Sequence, residues 1–519
     1  MAVSIAPSSY EFRTVISQLE RVLLEMYLPS THSCREPLLP GPKEIETAES
    51  RLLTSLPQDG VGLTAVTHHL IKHIVPAFND SSLSPHYYGF VTGGVTPAAL
   101  LGDMLASIMD QNVQVHLPEE TLATTLEARA LEMLLDLFRM PRDRWKGRCF
   151  TTGATASNIL GLACGRESLL REKLVLAGYS FGDASIAEMG VLEACLQSRV
   201  MGMQVLAAMP HSSIAKAAAV VGIGRAMVKD MSMPEAPWEF DMYRLEDALE
   251  DGANRGIVSI IVAGYGEVNT GRFCSNLRDI RNLVSRYGSA WIHVDAAFGI
   301  FARVFSKGDR DMAAVANWVD QIEYADSVTG DGHKLLNVPY DSGFFFCRNP
   351  EILQQNMMNA APYLAAPPST SNIPSPLNIH LENSRRFRAL PVYATLTAYG
   401  ASGYKQLVRR LILHAREIAR VIYRHPAYEL LPILEGGTEE EAVNSVFMVV
   451  LFRAKDEFQN HLLRERINDT GKMYVSATVW EGLPAVRVAV GNWRVSGNKT
   501  GSDGWGVVEG VLQMVGGML

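Results

Sequence analysis

Residues Ser327 to Tyr340 read SVTGDGHKLLNVPY, and within them Lys334 follows a small polar Asp-Gly-His turn and precedes apolar Leu335 and Leu336. Such neighbours hold the aliphatic stem and aim the amine, as a lysine that forms a Schiff base with a carbonyl compound requires. Taken alone, Lys334 reads first as a solvated surface charge, the usual fate of this side chain. Three other segments change that, because their groups fit one cofactor.

The apolar run Ala290 to Val294 ends on Asp295, flanked by Ala296 and Ala297. A carboxylate there is costly unless a cation or donor meets it, and a protonated pyridine nitrogen is such a partner. The residues equally allow Asp295 to cap the next helix. Phe150 to Asn158, FTTGATASN, places small residues and hydroxyls before a helical pattern, where open backbone N–H groups and the helix dipole attract phosphate. Pro210-His211-Ser212-Ser213 puts a histidine before another helix, either as a cap or stacked on a flat ring. Lys334 and Asp295 are far enough apart for a helix and a further strand, Tyr324 to Thr329. Both would then lie at the carboxyl ends of neighbouring parallel strands, where open α/β sheets bind ligands.

These motifs, in this order, resemble the group II pyridoxal-phosphate-dependent amino-acid decarboxylases, the family of aromatic-amino-acid, tyrosine, histidine and glutamate decarboxylases. His86-Tyr87-Tyr88-Gly89-Phe90, Asp110-Gln111-Asn112 with Glu127, Thr152 to Thr155, His211 to Ser213, His293 to Ala297 and Asp331 to Lys334 carry the resemblance. It runs from about His86 to Gly400 and more weakly to about Arg494. An Asn-Val-Pro-Tyr-Asp run, Asn337 to Asp341, is similar to one branch of that family.

The resemblance implies the fold-type I α/β architecture of pyridoxal-phosphate enzymes: a mostly parallel sheet flanked by helices, an N-terminal helical segment and a small C-terminal α+β domain. It implies pyridoxal 5'-phosphate as cofactor, an L-amino acid as substrate, aromatic by weak preference, and release of CO₂ and an amine. Ala154, Thr155, His211, Asp295, Ala297, His333 and Lys334 would bind the cofactor; Lys334, His211, Asp295 and Tyr363 would be catalytic. Tyr363 falls where the family places a loop tyrosine that protonates Cα, before a Pro- and Ser-rich run, 365–376, read as a mobile loop. Aldehyde synthesis or other C–C cleavage is the nearest alternative, and a catalytically silent binding partner the alternative of another class. Arg385, Arg386 and Arg388 resemble a family run near the active site, in which one arginine would bind phosphate or carboxylate while the others pair on the surface. Glu267 stands where many relatives carry a threonine, and Phe90 to Gly94 lacks the Tyr-Phe-Pro of aromatic decarboxylases.

The elements that must position these groups follow from pattern. Residues 1–85 read as helical patches, Phe12 to Tyr27 and Leu63 to Ile74, which in relatives pack on a partner subunit, so a homodimer is expected. Residues 86–395 alternate strands and helices, as a parallel sheet requires. From 396 to 519 a helix, Gly403 to Tyr423, leads to strands near Val446 to Phe452 and Val486 to Val490. The 519 residues are 47% hydrophobic and 20% charged, enough to bury a large core. A net charge of −8 argues against a nucleic-acid partner. Apolar runs are strand-length, well short of the roughly 20 residues that span a bilayer. The opening Met1 to Tyr10 lacks a secretory pattern, and six cysteines scatter without metal spacing, which predicts reduced thiols, no metal and a cytoplasmic location.

Overall fold

The computed structural model describes residues 7–28, 36–359, 373–433 and 436–518. Its centre is a seven-stranded sheet in the order β1-β7-β6-β5-β4-β2-β3. The strands are β1 (Gly147–Thr151), β2 (Gly202–Ala207), β3 (Val228–Asp230), β4 (Ile257–Gly264), β5 (Ala290–Asp295), β6 (Ser327–Asp331) and β7 (Gly343–Cys347). Strands β6, β5, β4, β2 and β3 are parallel, while β7 runs against both β1 and β6. The middle strands are buried on both faces, so β4 reads as a near-continuous run, IVSIIVAG, rather than an alternating one.

Register sets the site. Gly264 of β4 pairs with Asp295 of β5, and Asp295 with Thr329 of β6, so these three carboxyl ends lie side by side. Strand β6 starts and ends later than the expected Tyr324 to Thr329, because Ile322–Tyr324 forms a 3-10 turn and Asp331 pairs with Gly343 of β7. This shift carries the strand up to the lysine turn. Helix Ala154–Leu176 leaves the end of β1 and covers one sheet face, with Asn158, Cys164 and Leu170 fully buried.

The second sheet, in the order β10-β11-β9-β8, is antiparallel and comprises β8 (Tyr428–Leu431), β9 (Val449–Ala454), β10 (Ser476–Trp480) and β11 (Leu483–Ala489). Helix Ala389–Arg424 leads into it and crosses the boundary expected at 395/396, bending at Gly400, whose φ is +59°. Near the N-terminus, helix Ser9–Tyr27 is capped by Ser8, and helix Leu63–His69 continues as a π turn through Ile74. Among the described residues, no helix is long and apolar enough to cross a membrane, and no group of three or more His, Cys, Asp or Glu side chains could hold a metal.

Candidate active site

A cavity of about 530 Å³ opens at the carboxyl edge of the large sheet. Ala154, Thr155, His211, Asp295, Ala297, His333 and Lys334 all line it. Tyr363 lies outside the described residues, as does most of the 365–376 run.

Lys334 sits in a single helical turn, Gly332–Leu335, directly after β6. Its Nζ is 3.1 Å from Asp331 Oδ2 and 5.7 Å from the centre of the Phe298 ring, with the side chain 21% exposed. The turn is pinned from behind by buried Asn337, whose Nδ2 donates to Gly93 O at 2.6 Å and to Gly491 O at 3.1 Å. Gly93 must be glycine: a Cβ there would lie 1.8 Å from Lys334 O. His333 donates from Nδ1 to Ser342 O at 2.7 Å and packs on Tyr340 with ring centres 4.5 Å apart. Burial lowers its pKa, Asp331 opposing.

Asp295 receives an N–H from Asn158 Nδ2 at 2.8 Å and the Ala297 backbone N–H at 3.3 Å. His211 caps helix Ser212–Val220 and also lines the cavity. Its Nδ1 accepts the Ser213 backbone N–H at 3.2 Å and lies 2.7 Å from Ser213 Oγ. At the start of helix Ala154–Leu176, the Ala154 N–H donates to Asp331 Oδ1 at 2.6 Å. That helix end already holds an anionic oxygen, as its dipole and free N–H groups favour. The Thr152 and Thr155 side chains beside it make no hydrogen bond among the described residues.

None of the three arginines near residue 386 lines the cavity. Arg385 forms a buried fork with Glu127, Arg386 pairs with Asp103, and Arg388 donates to Asp341 at 2.8 Å. An arginine does reach the cavity from elsewhere: Arg487, on β11 of the second sheet, is buried and donates to Phe90 O. Burial lowers its pKa while Glu267 supports its charge. Glu267 itself anchors its own turn, accepting from Asn269 N, Thr270 N and Thr270 Oγ1 at 2.7–2.9 Å, with Gly266 and Val268 facing the cavity on either side. Two signals for the unassigned residues were visible in the chain. Asn158 lies one helical turn after Ala154 on the same face, and Arg487 interrupts an apolar strand, where a charge demands a partner.

Residues 48–450 match the model of the pyridoxal-dependent decarboxylase conserved domain. The chain belongs to that family. It is a pyridoxal-phosphate-dependent amino-acid decarboxylase, a lyase. It is 24% identical over 475 residues to tryptophan decarboxylase 1 of Oryza sativa subsp. japonica, covering 88% of this chain and 85% of that one. It is 26% identical over 449 residues to aspartate 1-decarboxylase of Aliivibrio fischeri, covering 82% and 78%. The fold is shared with the crystal structure of Oryza sativa TDC with PLP and tryptamine, at a TM-score of 0.80 and 21% identity, covering 99% of this chain and 98% of that one.

The cavity fits this cofactor on its own geometry. A Cβ built on Gly264, beside Asp295, would meet nothing within 4 Å, so the strand edge leaves open space for a flat ring over the carboxylate. A helix start with open backbone N–H groups and the lysine amine, both reaching Asp331, line the same cavity.

Proposed function

We propose that this decarboxylase acts on an L-amino acid with an uncharged aromatic side chain and releases the amine and CO₂. The observation that carries this reading is the convergence of Lys334, Asp295, His211 and the helix start at Ala154 on one cavity with apolar walls, Val91, Ile214, Val268 and Phe298 among them. Bound there, pyridoxal phosphate supplies an electron sink for the pair left on Cα when CO₂ departs.

This chain's residues divide the remaining work. Lys334 Nζ would hold the cofactor's carbonyl carbon and yield it to the incoming amine. Asp295 would keep a proton on the ring nitrogen, its negative charge steadied by Asn158. His211 would lie against the ring and orient the scissile carboxylate, and Thr155, Ala154 and His333 would hold the phosphate. Tyr363 is the proposed donor of the proton to Cα.

Arg487 favours a second reading, an acidic side chain, because its buried Nε has no hydrogen-bond partner among the described residues. One of its N–H groups goes to the Phe90 carbonyl and nearby Glu267 favours its charge, while the walls beside it are apolar, which supports the aromatic reading. Purified enzyme given tryptophan, tyrosine, phenylalanine, aspartate and glutamate is expected to release amine from the aromatic set. Turnover of aspartate or glutamate alone would reverse the assignment.

Lys334→Ala is expected to abolish turnover and the visible band of bound cofactor while leaving the melting temperature near the parent's. Retained turnover would remove Lys334 from its role. Tyr363→Phe is expected to release CO₂ yet lose amine, with aldehyde, ammonia and peroxide in its place, since the pair on Cα then meets oxygen before a proton. Amine at the parental rate would make Tyr363 structural.

The chain is proposed to act as a cytoplasmic homodimer. Leu101, Ile108 and Met109 on helix Pro97–Met109, with Leu122, expose apolar surface suited to a second copy, and the described cysteines are free thiols. Sedimentation of a monomer at micromolar concentration would refute the dimer.

A further inference from the structure

The site is wired from behind by a chain of hydrogen bonds whose direction is fixed at both ends. It starts at Trp291, whose indole N–H can only donate, and gives it to Ser327 Oγ at 2.9 Å. Ser327 then has its own hydrogen to give, and the His293 Nδ1 lone pair takes it at 2.8 Å. His293 must therefore carry its hydrogen on Nε2 and donate to Asn158 Oδ1 at 2.9 Å, with Thr329 Oγ1 at 3.2 Å from the same nitrogen. The Asn158 carboxamide is left with one orientation, oxygen toward His293 and both N–H groups toward the cavity side.

Those two N–H groups go to different places. One reaches Asp295 Oδ2 at 2.8 Å, the acceptor-only end of the chain, and the other reaches Ser213 Oγ at 3.0 Å. Ser213 Oγ, having accepted, donates to His211 Nδ1 at 2.7 Å, so His211 presents Nε2–H to the cavity. Asn158, Ser327 and His293 are fully buried and Ser213 nearly so, where an unpaired polar atom is costly and a satisfied network holds one geometry. Burial also keeps His293 at a pKa of about 4, consistent with a single ring hydrogen at neutral pH.

We propose that Asn158 is the positioning residue of the site: its one carboxamide sets the ring-nitrogen carboxylate, Asp295, and the stacking histidine, His211, together. The inference rests on the roles given above to Asp295 and His211. A residue that only filled space behind the sheet would not bridge them.

The test uses full-length protein stripped of cofactor and titrated with pyridoxal phosphate, read by tryptophan fluorescence and by the visible band and its pH midpoint. Asn158→Asp keeps the shape but sets a second carboxylate against Asp295; Asn158→Ser removes the bridge and leaves space. Each is expected to weaken cofactor binding by about tenfold or more, the worth of a hydrogen bond to a charged group, and Asn158→Asp is expected to move the pH midpoint as well. Parental affinity and midpoint in folded variants would overturn the proposal.

Asp295→Asn serves as the control. If it leaves binding and midpoint unchanged, the reading of Asp295 fails and the inference with it; if it alone perturbs them, only the inference fails. Combined with Asp295→Asn, Asn158→Ser should add less loss than it causes alone, because one of its two arms acts through that carboxylate; fully additive losses would overturn the idea. Should both Asn158 variants fail to fold, Ser213→Ala, which trims one oxygen, must lower the circular dichroism of the bound cofactor by loosening His211. An unchanged signal would sink the proposal.

Discussion

Two buried histidine clusters sit in this fold, and they differ by one hydrogen. In the first, Trp291, Ser327, His293 and Asn158 pass donors in a single direction to Asp295, and every step has a hydrogen to give. In the second, His86 Nε2 lies 2.7 Å from Ser502 O and His414 Nδ1 lies 2.8 Å from Ser496 O. Carbonyls only accept, so each ring spends its N–H there and turns a lone pair toward the Tyr88 hydroxyl, 3.1 Å from both. That hydroxyl has one hydrogen for two acceptors. The complete cluster ends on a charge at the cavity; the incomplete one ties the segment after residue 85 to helix Ala389–Arg424 and the loop beyond β11. Full satisfaction goes with holding a charge in place, whereas the shared hydrogen serves a junction where only cohesion is needed.

The comparison breaks most visibly at Asp295. Asp295→Ala is expected to lower decarboxylation by several orders of magnitude, because the ring nitrogen loses the partner that keeps it protonated. Thermal unfolding should change little, since the carboxylate ends its cluster rather than holding two segments together. Parental rates with cofactor retained would show that the complete cluster serves the fold and not the chemistry.

At the junction the expectation inverts. Tyr88→Phe removes the single hydrogen and strands both imidazole lone pairs in the interior, at a cost of about 2 kcal/mol. Urea unfolding should record that loss, while turnover per folded molecule stays at the parental value. A change in turnover with unchanged stability would erase the division between the two clusters.

How far these clusters were legible in the chain depends on where their partners come from. Asp295 and Lys334 stood out because each ends or interrupts an apolar run, and a charge in such a place needs a reason; the helix start at Ala154 stood out by its small residues. The parallel sheet followed from alternating elements, and the family model confirms the resemblance those motifs carried. Asn158 was in plain view, yet its work depends on His293, which arrives from another strand. Arg487 belongs to the second sheet and meets Phe90 only after folding. The first half of helix Ala389–Arg424 was missed because Pro391 and Gly400 mask its period, the proline being tolerated in the first turn and the glycine absorbing a bend. Of arginines 385, 386 and 388, one was expected to bind phosphate or carboxylate and the others to pair; none lines the cavity, and all three pair, with Glu127, Asp103 and Asp341.

Acid gives the finest distinction between the clusters. Burial holds both His293 and His414 at pKa values of about 4, below the ordinary 6.5. A histidine whose folded pKa is depressed binds fewer protons folded than unfolded throughout the window between those values. Its contribution is therefore fully present above about pH 6.5 and is lost as pH falls toward about 4. From about pH 7 to about pH 5.5 each histidine should withdraw about 1 kcal/mol from folding. For His414 the Ser496 carbonyl and Asp503 favour the charged ring, while His86 and Arg410 oppose it. A proton on Nε2 would also let that ring donate to Tyr88, whose hydrogen is then free for His86, so the penalty at the junction is relieved once the proton arrives. His293 has no such relief, because a second ring hydrogen would point at the one Ser327 already gives. Histidine resonances followed by NMR against pH should show His414 taking up its proton within the folded state at a higher pH than His293. Equal behaviour of the two rings would mean that the missing hydrogen at Tyr88 has no energetic weight.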